Sequence, residues 1–338
     1  MALKAPHIST GAMGENDDHF RDECGVYGIF GHPDASAHCA LGLHALQHRG
    51  QEAAGIVSYD GDHFYSHRAL GLVGDNFNRP ELIHGLKGAQ AIGHVRYSTA
   101  GETMLRNVQP LFAELSFGGL SLAHNGNLTN AFTLRKQLIS QGCLFQSTSD
   151  TEVIVHLMAV SRKEKVEDRL LEALQQITGA YSLIAMSEDL LVAARDPLGV
   201  RPLVLGKLDD AFVVASETCA FDIIGAKFIR DIEPGEVLVI NHDGLRSIHP
   251  FKDKASSRFC VFEYIYFARP DSLIDGRNVY EGRKRIGAEL ARESKLEADV
   301  VVPVPDSGVP AAIGYAAESN IPFELGIIRN HYVGRTFI

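Results

Sequence analysis

From Cys24 to Ile240 the chain is cut into short apolar runs separated by turn signals, and this rhythm constrains the fold more than any other feature. CGVYGIFG (24–31) reads as a strand entering a turn. GIVSY and HFYSH flank Asp60-Gly61 and read as a hairpin. QAIGHVRYS (90–98) and LSLAHNGN (120–127) read as further strands. Asp34 is placed to cap a helix running to about Gln47. Two more helical stretches follow. One covers 129–141 and stops at Gly142, a C′ glycine; the other carries Val166, Leu170, Leu171, Leu174 and Ile177 on one apolar stripe. The runs YSLIAM, LLVAAR, PLVLG, AFVVAS and EVLVI then return to strand character. Strands, helices and strands again predict a sandwich of sheets flanked by helices.

The composition shifts at PFKDKASSR (250–258), which marks a domain boundary. Beyond it a helix is expected over about 277–296. ADVVVPVPDSGVPAAIGYAAE then reads as a buried strand, a turn and a helix, the opening of a parallel α/β unit. So few strands predict an incomplete second domain with an open sheet edge. Residues 1–23 carry Glu15, Asp17, Asp18, Asp22 and Glu23 and no apolar stretch, so they read as a polar leader rather than a secretory signal. A net charge of −10 argues against nonspecific binding to nucleic acid or to an anionic membrane surface. No apolar run reaches the ~18 residues of a membrane span. The five cysteines are widely spaced with no CxxC, which predicts a reduced, cytoplasmic protein.

Cys24 is the first candidate for chemistry. A thiol needs help to ionise near neutral pH. A cysteine at a chain terminus has a base at hand in its own α-amine, which exists only if the Glu23–Cys24 bond is cut. Otherwise Cys24 reads as a small buried strand residue. Arg49 lies between a helix end and a strand. Arg96 lies at a strand end, followed by Thr99, and an arginine fork there can hold a carboxylate; either arginine also reads as a surface ion pair. Asn125-Gly126 is by default a hairpin turn, but an Asn amide beside a Gly N–H can also form an oxyanion hole. Asp150 opens a helix and reads as an N-cap or as a carboxylate gripping a substrate ammonium group.

The set and order of these residues resemble one family. CGVYGIFG, QHRGQEAAG, HVRYSTAG, HNGNLTN, TSDTE, ARDPLGVRPL, ASETCAFD, EPGEV and CVFEYIYFARPDS are similar to the glutamine phosphoribosylpyrophosphate amidotransferase (amidophosphoribosyltransferase) family, across Cys24 to Ile338. The resemblance implies an α+β fold: a four-layer αββα sandwich of the N-terminal-nucleophile hydrolases, then an incomplete α/β phosphoribosyltransferase-type domain. The implied divisions are a leader (1–23), a glutamine amidotransferase domain (24–255) and a partial transferase domain (256–338). It further implies that Cys24 is the nucleophile freed by leader removal, that Asn125 and Gly126 form the oxyanion hole, and that Arg49, Arg96, Thr99 and Asp150 serve the glutamine site. The implied partners are L-glutamine, phosphoribosyl pyrophosphate, purine nucleotide inhibitors and further copies of the chain.

Two cofactors are implied by the same resemblance. Cys260 matches one ligand of a [4Fe–4S] cluster, which needs four cysteine thiolates, the others expected beyond Ile338. Ser307 matches a Mg²⁺-site position; from spacing alone it is a turn residue or a helix N-cap, and Cys260 an apolar-strand cysteine. The double-acid phosphoribosyl pyrophosphate loop of the family is absent from the sequence. The isolated chain is therefore expected to be limited to glutaminase activity. Alternatives are an amidotransferase feeding another acceptor, such as a hexose phosphate, and an inert or regulatory fragment.

Overall fold

A computed structural model describes residues 24–97 and 104–330. The strands of its two large sheets, in chain order, are β1 (Gly25–Phe30), β2 (Ala53–Tyr59), β3 (Phe64–Leu70), β4 (Gln90–Arg96), β5 (Leu111–Leu115), β6 (Gly118–Leu128), β7 (Gly179–Met186), β8 (Leu190–Arg195), β9 (Val204–Leu208), β10 (Ala211–Ala215), β11 (Lys227–Asp231), β12 (Val237–Asn241) and β13 (Gly244–Ile248). They form two antiparallel sheets, ordered β11-β9-β10-β1-β4-β2-β3 and β13-β12-β8-β7-β6-β5. The hairpin at Asp60-Gly61 is β2–β3, with Gly61 at φ +102° in the left-handed region that favours glycine.

Strand alternation builds the layers. On β1, Tyr27 and Ile29 pack with Ala35, Cys39 and Leu43 of the helix Ala35–Ala45, while Val26 and Phe30 pack with Ala123, Ile184 and Ala193 of the other sheet. On β6, Leu120 and Leu122 turn the opposite way, into a third core shared with the helices Ala131–Ser140, Thr151–Val160 and Val166–Leu174. The result is helix, sheet, sheet, helix: the expected αββα sandwich. Residue size sets how closely the layers approach. A Cβ at Gly28 would sit 3.0 Å from Leu191 on the facing sheet, and one at Gly93 would sit 2.6 Å from the Cys39 sulfur on the helix.

The sandwich hands over to the remaining segment along the loop after β8. Asp196 accepts hydrogen bonds from the Leu198 and Val200 N–H groups, and the Arg195 guanidinium donates to the carbonyls of Gly199, Arg201 and Ile232. The chain at 256–260 runs along this braced loop, donating from Ser256, Arg258 and Cys260 to the carbonyls of Pro197, Leu198 and Val200. Cys260 is therefore half-buried in extended chain before a helical turn (Glu263–Phe267) and belongs to no strand, contrary to the reading from spacing.

Two helices follow, Val279–Glu293 and Val309–Ser319. They cross closely, since a Cβ at Gly287 would lie 1.8 Å from the Ala311 carbonyl oxygen. The buried strand expected between them is reduced to a single parallel bridge, Val301 with Phe323, and Val300, Val302 and Val304 are exposed. With one bridging residue on each side, the apolar run has no second layer to cover it among the described residues.

Candidate functional site

Three strand ends bring the site together. Cys24 immediately precedes β1, and the β1–β4 register pairs Gly25 with Val95, so one step further sets Cys24 opposite Arg96. Strand alternation carries Cys24, His94 and Arg96 to the side that faces the other sheet. There His94 Nε2 donates to the main-chain carbonyl of His124 at 3.1 Å, pinning β4 to β6. Arg96 lies two residues beyond this pin on one sheet, and Asn125 lies next to it on the other. Burial pushes the His94 imidazole pKa down to about 3, so the ring is neutral and its proton sits on Nε2.

Asn125-Gly126 is not a hairpin turn. Both residues lie inside the eleven-residue β6, paired with Ser182 and Tyr181 of β7. Asn125 is wholly buried, and neither its Oδ1 nor its Nδ2 has a hydrogen-bond partner among the described residues. Gly126 stands at φ +152°. A Cβ there would come 2.1 Å from the Ala180 carbonyl oxygen and 2.8 Å from His124 Nε2, so only glycine fits. His124 turns to the outer face, where its Nδ1 meets Thr151 Oγ1 at 3.2 Å. Gln109 braces the same turn, accepting from His124 N–H and donating to Thr151.

Asp150 stands at the N-cap position of the helix Thr151–Val160, yet makes no cap bond. Its Oδ2 accepts from Leu128 N–H at 2.9 Å, tying the helix start to the end of β6. Arg96 donates from one terminal nitrogen to the Asn107 carbonyl at 2.7 Å, and its buried Nε has no partner among the described residues. The Cys24 thiol lies 3.7 Å from the Tyr97 carbonyl. By strand register Cys24, Arg96 and Asn125 thus lie at one end of the inter-sheet space, while Asp150 lies past the end of β6, where its carboxylate meets Leu128 N–H and lies 3.9 Å from His124 Nδ1. Thr99 lies outside the described residues.

Arg49, expected to serve the glutamine site, is not the surface ion pair that is its alternative reading but is fully buried. Its guanidinium is sealed from solvent and held by two carboxylates: one terminal nitrogen meets Glu217 at 2.5 Å, and both meet Glu263, at 2.8 and 2.9 Å. Its Nε donates to the Cys24 carbonyl at 3.1 Å. Among the described residues its nitrogens are taken by these carboxylates and by the Cys24 carbonyl, which links it to the site. Glu217, Glu263 and His94 were not singled out from the sequence. A lone acid inside an apolar run, as in CVFEYIYF, is the signal that a buried partner is waiting.

No group of three or more His, Cys, Asp or Glu side chains able to hold a metal ion occurs among the described residues. Cys260 is one thiol where a [4Fe–4S] cluster needs four. Ser307 is exposed in the turn before the helix Val309–Ser319, beside Asp306, whose carboxylate pairs with Arg329 at 3.1 Å. The described residues by themselves therefore supply one of the four thiolates a cluster needs, with Ser307 and Asp306 as the oxygen-bearing side chains at the position expected for magnesium.

Residues 94–222 match the family model described as a glutamine amidotransferase domain. An amidophosphoribosyltransferase of Rhizobium etli is 61% identical over 325 residues, covering 95% of this chain and 66% of the relative. One of Methanothermobacter thermautotrophicus is 46% identical, covering 96% of this chain and 69% of the relative. Among solved structures, the glutamine phosphoribosylpyrophosphate amidotransferase of Bacillus subtilis, complexed with ADP and GMP, superposes with a TM-score of 0.88 at 51% identity, over 93% of this chain and 68% of that one. The chain spans about two thirds of the length of these relatives, and 57% of a soybean chloroplastic one. It belongs to the amidophosphoribosyltransferase family.

Proposed function

We propose that this chain carries the glutamine-hydrolysing part of an amidophosphoribosyltransferase, with Cys24 as nucleophile. The observation that carries the reading is the Asn125 amide, buried and without a hydrogen-bond partner among the described residues, at the end of the sandwich where strand register sets Cys24 opposite Arg96. A buried amide without partners is costly unless a ligand completes it.

Cleavage of the Glu23–Cys24 bond frees an α-amine, whose ordinary pKa of about 7.7–8.0 suits a general base. The amine takes the thiol proton, and the sulfur attacks the side-chain amide carbon of glutamine. Negative charge gathers on the amide oxygen, where Asn125 Nδ2 and the Gly126 N–H stabilise it. The C–N bond breaks, the proton passes to the leaving nitrogen, and ammonia departs from a thioester. Water then cleaves the thioester, releasing glutamate and the thiol. Arg96 holds the substrate α-carboxylate, and Asp150 its ammonium group. Thr99 belongs to the same substrate site.

In the complete enzyme the ammonia displaces pyrophosphate from phosphoribosyl pyrophosphate to give phosphoribosylamine, the first committed step of purine synthesis. Mg²⁺ and a [4Fe–4S] cluster belong to that complete enzyme, as do regulation by purine nucleotides, self-association and a cytoplasmic location. No described helix is long and apolar enough to cross a membrane.

The test is direct. Protein that releases glutamate from glutamine should begin at Cys24 by mass spectrometry, and Cys24→Ala should release none and should resist labelling by diazo-oxo-norleucine. A chain that still began at Met1 and hydrolysed glutamine at full rate would rule out the amine as base.

A further inference from the structure

Resting on the reading of Cys24 as the nucleophile, we propose that Glu263 is a positioning residue for glutamine hydrolysis, acting on Cys24 through Arg49 from outside the sandwich. Arg49 Nε holds the Cys24 carbonyl at 3.1 Å. That carbonyl shares the Cys24 α-carbon with both the thiol-bearing Cβ and the nitrogen that becomes the base. Fixing it fixes the peptide plane from which both reacting groups project.

Arg49 is itself immobilised by carboxylates from two parts of the chain. Glu217 follows β10 of the sandwich and accepts also from His48, the Ser272 hydroxyl and the Arg269 N–H. Glu263 comes from the helical turn beyond the sandwich, grips both terminal nitrogens of Arg49, and accepts from Arg201 at 3.2 Å. Arg49, Glu217 and Glu263 are all 0% exposed. The two-point grip of Glu263 sets the guanidinium plane, which a single contact from Glu217 leaves free to rotate about its terminal nitrogen. The braced loop 197–200 and the chain paired along it deliver the turn that carries Glu263 to this spot. The sandwich therefore contributes the nucleophile, while the segment after it contributes the carboxylate that orients it.

The experiment compares full-length Glu263→Gln and Glu236→Gln. Glu236 is an equally buried carboxylate gripped by Arg230 at 2.6 and 2.8 Å on the β11–β12 side of the fold, and serves as a control for loss of a buried ion pair. Active sites are counted by diazo-oxo-norleucine labelling at saturation, and glutaminase kinetics are expressed per labelled site. Glu263→Gln should lower kcat about 10- to 100-fold, the scale for a misplaced reacting group. KM for glutamine should hold within about twofold, because Arg96 and Asp150 are untouched. The rate of labelling should fall in the same proportion as kcat, and Glu236→Gln should change neither. Unchanged kcat per site in Glu263→Gln, or an equal fall in Glu236→Gln, would overturn the positioning role. Glutamate release by Cys24→Ala would instead overturn the reading of the nucleophile.

Discussion

Two polar regions are buried in the same fold and are built on opposite terms. Around Arg49 every guanidinium nitrogen has a carboxylate or carbonyl partner, and Glu217 is surrounded by donors. Around Asn125 both amide atoms lack partners among the described residues, as do Arg96 Nε, His94 Nδ1 and His124 Nε2. Satisfied buried charges hold shape, because any movement would leave a charge uncompensated. An unpaired buried amide beside a thiol and an arginine is a group that a bound ligand can complete. The difference separates residues that make the site from residues that use it.

The largest effect that tests this contrast is on stability. Arg49→Ala would leave two sealed carboxylates facing each other and should cost about 3–5 kcal/mol, a large share of the roughly 5–15 kcal/mol that holds a domain together. Urea unfolding followed by circular dichroism would measure it; a loss below about 1 kcal/mol would break the comparison. Asn125→Ala should do the reverse, leaving stability level or improved while lowering kcat for glutamine by about 10²–10³, the scale of a lost oxyanion donor. If kcat held while the protein unfolded early, the amide would be structural.

Arg96→Lys comes next. A point charge cannot reproduce the fork, so KM for glutamine should rise roughly tenfold or more with little change in unfolding, measured by steady-state kinetics. The smallest effect concerns pH. The His94 pKa is depressed to about 3 when folded, against ~6.5 when unfolded. The unfolded chain thus binds the extra proton between those values. The contribution is complete well above pH 6.5 and is lost as pH falls, by about 1.4 kcal/mol at pH 5.5. His94→Asn should flatten that part of the stability–pH curve. Glu217, whose carboxyl is held far below its ordinary value by His48 and Arg49 against the cost of burial, begins to lose its own contribution only below about pH 4.3.

The sequence makes the sandwich easy to read and its inner wiring hard. The apolar runs of β1 and β6 and the stripe at Val166, Leu170, Leu171, Leu174 and Ile177 are local patterns; the runs survive as strands, and the stripe as the helix Val166–Leu174, which ends before Ile177. The helix expected over 277–296 is Val279–Glu293. The apolar run at 299–304 misled, because a strand is secured by its neighbours, and here Val301 finds one partner in Phe323. Asn125-Gly126 carries the commonest hairpin signal and yet sits in mid-strand. Gly126 is required there by crowding from Ala180 and His124, two contacts that sequence spacing does not reveal. Arg49 and Glu263, 214 positions apart, meet only once the fold exists.

β1 is an interior strand, paired on both sides, with its two faces committed to different cores. Counting along such a strand is unforgiving. One extra residue between Cys24 and Gly25 would rotate the sulfur toward the helix layer, and one fewer would draw it into the sheet. On the proposed reading of Cys24 as nucleophile, the leader has to be cut at the Glu23–Cys24 bond, since one residue left behind would keep the Cys24 nitrogen a peptide amide with no basic lone pair. On that reading the useful terminus lies one residue before Gly25, the first residue of β1 paired with β4.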